Sequence, residues 1–197
     1  MSIFGWLILK DKYFIIHPNI YRVLEAFVGS PNIGPVRLSH MIEPDVQVNS
    51  DGMIVSIGSP NPKKDEPFRG IGMYAFRERY QEILDCYLEK SPAKKAFYDE
   101  LVANKDMTFI HSIPVFSSLL RPSVLENGSV LRYQSVNGWY QMLSRLVYEV
   151  NHDELNMDNK LKEKLILLYD IQTNFNEVYN ELKDLLSHKK GETNIAA

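Results

Sequence analysis

Five histidines and one cysteine are the residues of this chain best suited to bind a metal or to act as a nucleophile. The histidines lie far apart, at His17, His40, His111, His152 and His188. They form neither HExxH nor another recognisable spacing of metal ligands, so we interpret them as ordinary surface or core residues. The single cysteine, Cys86, excludes an internal disulfide and a zinc site built from several cysteines. This cysteine usage fits a reducing compartment.

Glycine-rich and acidic segments are the next candidates for chemistry. The stretch Gly70-Ile71-Gly72 lacks the rest of a dinucleotide-binding fingerprint, and neither a Walker loop nor GxSxG occurs. Asp51-Gly52 supplies one carboxylate where two-metal phosphoryl transfer needs several. A hairpin turn between DVQV and MIVSI is the better interpretation of that pair. We therefore predict no catalytic residue and no metal site in this chain.

Length and charge limit the class of protein. With 197 residues and 45% hydrophobic content, the chain can form one core, or a core with an appendage. Its formal net charge of -3 argues against a domain whose main task is to cover nucleic acid phosphates. The apolar start MSIFGWLILKDKYFIIHP is interrupted by charges at 10–12 and is too short to span a membrane. We expect a soluble, cytoplasmic protein with no membrane partner.

The elements that would position functional residues begin with short strands. Residues 3–9 and 13–16 are β-rich runs on either side of a charged turn, which predicts a hairpin or a pair of strands. A short helix follows and ends at Gly29. Residues 30–67 are rich in Pro, Gly, Ser and Asn and are mostly loop.

Helices and a proline-containing strap come next. Helical spacing of apolar residues runs from 71 to 89, and Ser91-Pro92 opens a further helix to about Asn104. The strap, residues 109–125, contains Pro114 and Pro122, which exclude a helix or a central strand.

The last third carries a heptad pattern. Its seam positions, apolar except for Gln172, are Val136, Tyr140, Leu143, Val147 and Val150, then Leu161, Leu165, Leu168, Gln172, Phe175, Tyr179, Leu182 and Leu186. This predicts two antiparallel helices over 131–191 with a tip at 152–158, and a register set by Gln172. The seam could simply be the core of a helical domain. A projecting arm is the alternative, because 140–186 contains nine acidic and five basic residues, mostly off the seam. The predicted fold is mainly helical α+β, with a body at 1–130 and the hairpin beyond it.

Several motifs together resemble one protein family. The segment IPVFSSLLRPSV is similar to I/L-P-V-x-P-P-x-L-R-P, which precedes the clamp helices in the β′ subunit of bacterial RNA polymerase. The matching residues are Ile113, Pro114, Val115, Leu120, Arg121 and Pro122. Residues 136–140 resemble the L-N-x-L-Y that opens the first clamp helix, and Ile171-Gln172 and 189–191 resemble elements of the second. Residues 4–9 are similar to G-H-I-x-L, with Trp6 in place of the histidine.

The resemblance implies a clamp segment of a DNA-directed RNA polymerase, a nucleotidyltransferase only as a complete complex. The family's catalytic N-A-D-F-D-G-D loop and its zinc-binding cysteines do not occur in these 197 residues, so Mg²⁺ and Zn²⁺ would be held elsewhere. The middle, 30–105, matches only in having helices. We expect either an excised segment or one piece of a split subunit, of the kind found in large bacteriophages, which acts in the bacterial or infected-cell cytoplasm with other polymerase subunits.

In this family the helical hairpin docks the σ factor, and the clamp closes over DNA. Carried over residue by residue, the contact set is Gln141, Arg145, Tyr148, Glu149, His152, Asn159 and Glu163. The candidates near DNA, at the two roots of the hairpin, are Arg121, Arg132, Lys189 and Lys190. Most of the arginines that the family presents to σ are absent here, so we expect an atypical initiation or specificity factor and no small-molecule substrate.

Two alternatives stay open. The first is a stand-alone interaction protein whose helical hairpin binds or mimics part of a polymerase. The second is an unrecognised small enzyme, which would need clustered carboxylates or histidines in a pocket.

Overall fold

Helices dominate the structure, a computed structural model that describes residues 4–10, 12–29, 38–44, 46–48, 54–57, 68–116, 124–126, 130–132, 135–152 and 157–192. The helices are α1 (Pro18–Val28), α2 (Leu38–Ile42), α3 (Gly72–Glu78), α4 (Tyr80–Lys90), α5 (Lys95–Ala103), α6 (Ser135–His152) and α7 (Met157–Glu192). The strands are β1 (Phe4–Ile8), β2 (Ile15–Ile16), β3 (Val46–Val48), β4 (Ile54–Ile57), β5 (Phe109–Ile110), β6 (Ser112–Phe116), β7 (Val124–Glu126) and β8 (Val130–Arg132). The predicted mainly helical α+β class is confirmed.

The short strands form antiparallel pairs, β1–β6, β2–β5, β3–β4 and β7–β8. The two β-rich runs predicted near the start are therefore two separate strands, β1 and β2, and they do not form a hairpin with each other. They pair with consecutive strands a hundred residues downstream, and the bonds from Leu9 N–H to His111 O and from His17 N–H to Thr108 O continue both ladders. The hairpin predicted around Asp51-Gly52 is present as β3–β4, although its turn lies outside the described residues.

Pro114 lies inside β6, opposite Trp6 of β1. Since Leu9 donates to His111 at 2.8 Å and backbone groups alternate along a strand, the backbone of Pro114 faces away from β1. A missing N–H costs nothing on that side, which is why proline is tolerated in this edge strand. The part of the strap at 117–123, including Pro122, lies outside the described residues.

The apolar core surrounds β2. Ile15 and Ile16 are fully buried, and the Phe14 ring meets Tyr74 and Phe109 edge-on at centroid distances of 5.2 and 5.4 Å. Burying one such side chain stabilises a fold by about 1.5–3 kcal/mol. The predicted helical face of α4 joins this core through Tyr80, Ile83, Leu84 and Tyr87. Helix 71–89 is interrupted at Arg79, whose backbone leaves the helical region and separates α3 from α4.

Helix α1 is closed at both ends by side chains. His17 caps its start, where Asn19 N–H donates to His17 Nδ1 at 3.2 Å, and Pro18 follows as the first helical residue. At its end the Lys94 ammonium donates to the carbonyls of Ala26 and Phe27 at 2.7 and 2.9 Å, and also to that of Gly29. Lys94 thereby satisfies carbonyls that the helix leaves open and ties α5 to α1.

Helices α6 and α7 pack side by side. Tyr140, near the start of α6, lines the same cavity as Val178 and Leu182, which are far along α7, so the two helices are antiparallel as predicted. All five predicted seam residues of α6 are buried. The buried face of α7 is wider than the heptad, because Ile171 and Val178 are buried beside Leu168 and Phe175.

The helical pair belongs to the same apolar cluster as the rest of the described chain. Gln172 was expected to set the register between the helices; it bonds instead to the backbone of Ile16 in β2. The described part of the helical pair therefore packs against the body and does not project from it. Residues 153–156 of the tip lie outside the described residues. The boundary at residue 130 stays a prediction.

Candidate partner-binding surface on helix α6

Both ends of α6 are attached to the β1–β6 pair. Near its start, Tyr140 OH donates to Pro114 O at 3.2 Å. Near its end, Asn151 Nδ2 donates to Ile8 O at 2.7 Å, and Lys10 N–H donates to Asn151 Oδ1 at 3.0 Å. These bonds fix which side of α6 faces the body and which side faces solvent.

The solvent-facing side, which we name the α6 outer face, consists of Gln141, Met142, Arg145, Tyr148, Glu149 and His152. These residues follow one another at helical spacing opposite the buried Tyr140, Leu143 and Val147. All of them are exposed except Glu149, which is partly buried. The structure therefore brings together five predicted contact residues of α6 and adds Met142, which the sequence-based set omitted.

The charges on this face compensate each other. Arg145 Nε donates to Glu149 Oε1 at 2.7 Å, an ion pair one helical turn apart in which Arg145 is exposed and Glu149 partly so. Such a surface pair contributes little to stability. It does neutralise the one arginine on the face, so an acidic partner gains little there.

The aromatic residues give the face its main contact area. The Tyr148 and His152 rings stack at a centroid distance of 4.0 Å with 18° between their planes. His152 Nδ1 lies 3.0 Å from Tyr148 O, a contact that requires the proton on Nδ1. Tyr148 is 61% exposed and Met142 45% exposed. Exposed tyrosine is the kind of residue that carries binding energy in protein interfaces. The stack was not predicted, although the four-residue spacing of Tyr148 and His152 could have indicated it.

The remaining predicted site residues are described less fully. Asn159 and Glu163 lie in α7, Arg132 ends β8, and Lys189 and Lys190 lie near the end of α7, but only their backbones are described. Arg121 lies outside the described residues. Their roles toward a σ-like factor or DNA stay predictions.

An apolar cavity of about 360 Å³ lies beside α6 and was not predicted from the sequence. It opens between the β1–β6 pair and α7, with Trp6, Pro114 and Phe116 on one side and Phe175 and Leu182 on the other. Trp6 is 59% exposed. The alternation of Trp6 and Ile8 along β1 could have indicated this face, since both point away from the core.

A polar cavity of about 370 Å³ lies between α1, α2 and α7. Burial, and to a lesser extent the charge of Glu25, raise the pKa of Tyr21, which lines this cavity. Burial likewise raises the pKa of Tyr169. Neutral phenols of this kind serve as hydrogen-bond partners rather than as bases. Within the described ranges, no three His, Cys, Asp or Glu side chains are grouped so that they could hold a metal ion.

No protein-family model matches the chain, and no curated protein matches its sequence. None of the described helices combines the length and the apolar character that a membrane crossing requires. The functional interpretation therefore depends on the motifs and on the contacts between them.

Proposed function

We propose that this chain is a non-catalytic clamp segment of a multisubunit DNA-directed RNA polymerase largest subunit. In this role it assembles with the other polymerase subunits, docks a σ-like factor and helps to hold DNA. It acts in the cytoplasm of a bacterium or an infected bacterial host. It contributes no catalytic group of its own.

The contact between the motif-bearing segments is the observation that carries this proposal. Residues 4–8 and the strap residues 112–116 are paired strands in which Gly5 lies opposite Val115 and Trp6 opposite Pro114. Tyr140, from the segment that resembles the start of the first clamp helix, donates to Pro114 O. Three segments that resemble one family separately along the sequence thus meet at the base of α6. A set of chance matches has no reason to be contiguous in space, so this meeting supports a common origin.

The α6 outer face supports the docking part of the proposal. It is solvent-exposed along its length, its backbone is fixed at both ends, and its centre is the Tyr148–His152 stack. The pairing of Arg145 with Glu149 favours a partner that contributes apolar and aromatic side chains over one that contributes carboxylates. This fits a specificity factor that differs from a primary σ.

Reconstitution tests the assembly. The chain is co-expressed with the polypeptide from the same genome that carries an N-A-D-F-D-G-D loop and with the remaining polymerase subunits. We expect a stable complex whose DNA-directed RNA synthesis is lost when this chain is omitted. If the complex forms and transcribes equally well without the chain, the clamp proposal is wrong. Binding of the chain to a complete polymerase that does not need it would favour the stand-alone interaction protein.

Substitution on the α6 outer face tests the docking. The double variant Tyr148→Ala/His152→Ala should lower promoter-specific initiation at least about tenfold while leaving promoter-independent synthesis intact, because truncating interface aromatics removes about 1.4 kcal/mol or more. Thr173→Ala, on the exposed side of α7 that lines the polar cavity, is the control. Tight binding of a host primary σ that is abolished by Arg145→Glu would contradict the atypical factor.

A further inference from the structure

The polar cavity of about 370 Å³ between α1, α2 and α7 has the size of a ligand site. Small-molecule sites enclose about 300–1,000 Å³. Pro18 and Tyr21 of α1, Ser39 of α2 and Tyr179 of α7 are among the residues that line it. Tyr179 OH donates to Asn19 Oδ1, which ties the α7 wall to the start of α1. None of the lining residues belongs to the α6 outer face, so the cavity is separate from the proposed docking surface.

The hydroxyl of Tyr21 is oriented by a chain of amide contacts that starts in the core. Gln172, held by the backbone of Ile16, donates its Nε2 to Asn176 Oδ1 at 3.0 Å. The NH₂ of Asn176 is then left to donate to Tyr21, and this bond works against burial, the main cause that raises the pKa of Tyr21. Tyr21 is only 6% exposed. Because Asn176 is the donor in that bond, the phenol keeps its own proton for an acceptor in the cavity that it lines.

The rest of the wall places hydrogen-bond donors beside acceptors. Arg22 of α1 supplies N–H donors, whereas Glu25 of α1 and Glu177 of α7 supply carboxylate oxygens. Asn180 of α7 can do both through its amide. One guanidinium and two carboxylates leave only a small excess of negative charge, so charge alone does not select the ligand.

A ligand that only donates or only accepts hydrogen bonds does not match this wall. An ammonium group has donors alone, so it leaves the proton of Tyr21 without an acceptor and is repelled by Arg22. A phosphate group has acceptors alone, so it cannot donate to Glu25 or Glu177 and is repelled by both. A hydroxyl group donates and accepts, and several hydroxyls on one ring can serve both kinds of wall group.

We propose that this cavity binds a neutral carbohydrate of one or two sugar rings. Tyr21 donates to one hydroxyl of the sugar, while the carboxylate of Glu177 accepts from another. Tyr169 and Tyr179 add aromatic carbon to the wall, and the C–H groups of a sugar ring pack against such carbon. The sugar is a ligand rather than a substrate, and its binding does not depend on the proposed polymerase function.

Saturation-transfer NMR of the full chain with a panel of neutral sugars tests the proposal. The panel contains glucose, galactose, mannose, N-acetylglucosamine, trehalose and maltose, and calorimetry gives the Kd of each sugar that binds. We expect at least one to bind. Tyr21→Phe removes one hydroxyl and keeps the ring, so it should raise that Kd about three- to tenfold, the factor that one hydrogen bond supplies. Glu177→Gln, at an exposed position, replaces a charged acceptor with a neutral one and should raise the Kd as well.

Tyr98→Phe is the matched control, because it removes a phenol hydroxyl that bonds to Asp85 outside the cavity, and it should leave the Kd unchanged. Failure of every panel member to bind would overturn the proposal. Equal losses for Tyr21→Phe and Tyr98→Phe, or an unchanged Kd for Glu177→Gln, would place the sugar elsewhere and overturn it too. Binding of spermidine that is lost in Glu177→Gln, or of inorganic phosphate that is lost in Arg22→Gln, in place of a sugar would identify a charged ligand instead.

Discussion

The side-chain amide of Gln172 pairs with the backbone of Ile16 as a neighbouring strand would. Ile16 N–H donates to Gln172 Oε1 at 2.6 Å, and Gln172 Nε2 donates to Ile16 O at 3.1 Å and to Asn176 Oδ1 at 3.0 Å. Both residues are fully buried. The edge of β2 that faces away from β5 is therefore closed by a helix side chain rather than by a third strand.

Gln172→Leu should destabilise the protein. An isolated polar residue in a helical seam would favour the opposite result, but here leucine leaves the N–H and the C=O of Ile16 buried without partners. At about 1–3 kcal/mol for each unsatisfied group, the free energy of unfolding should fall by several kcal/mol in urea titrations. Thr173→Ala, on the exposed side of α7, is the control and should have a small effect. A rise in stability for Gln172→Leu would show that the amide pairing is not formed.

Asn151→Ala should loosen the end of α6. The substitution removes one bond to Ile8 O and one from Lys10 N–H, and because the site is partly exposed, water recovers some of the loss, so we expect about 1 kcal/mol. The rate of hydrogen exchange at the backbone amide of Lys10 should rise as well. Asn151→Asp keeps the acceptor and loses the donor, so Lys10 should stay protected in that variant. Equal exchange at Lys10 in both variants would contradict this pairing.

Lys94→Met should destabilise the end of α1, because the ammonium satisfies three carbonyls there. Calorimetry should report a loss of about 1–2 kcal/mol. The neighbouring Lys95 pairs with the exposed Asp99, one turn along its own helix, and lies over the ring of Tyr98. These are exposed contacts, so Lys95→Met should cost less than about 0.5 kcal/mol. Similar losses for the two variants would rule out the special role of Lys94.

Tyr74 should contribute to the stability of the protein at neutral pH and lose that contribution in alkali. Burial is the main cause that raises the pKa of Tyr74 from 10.0 to about 12. Because the folded state holds the phenol proton more tightly than the unfolded state, the contribution is complete below about pH 10 and disappears as the pH rises toward 12. Spectrophotometric titration should lose one late-ionising tyrosine in Tyr74→Phe. If Tyr74→Phe retains every ionisation step seen at high pH, those steps belong to other tyrosines and the prediction is wrong.

Patterns that depend on near neighbours could be predicted from the sequence. The buried face of α6 contains all five predicted heptad positions and, in addition, Leu146. The β3–β4 hairpin follows from its turn residues. The exposed contact residues of α6 could be predicted for the same reason, because residues opposite a seam are exposed.

Long-range pairings could not be predicted. Nothing in residues 4–9 specifies that Gly5 lies opposite Val115, because many β-rich runs could pair with this one. The burial of Ile171 and Val178 was missed for a related reason, since α7 packs on β2 and α3 as well as on α6. The position of Arg77 over the Phe14 ring likewise depends on how α3 packs beside the residues that lead into β2, and no local sequence pattern predicts that packing.

The bond between Ile16 and Gln172 spans 156 residues of chain, and this separation has a consequence for biosynthesis. The strands β1 and β2 leave the ribosome well before their partners, because they can pair only when 109–116 has been made. The other edge of β2 stays unpaired until α7, which carries Gln172, has also been made. Contacts of such high sequence separation form slowly. Both strands are therefore made well before the segments that cover them, and a nascent chain that stalls before Gln172 carries an open strand edge.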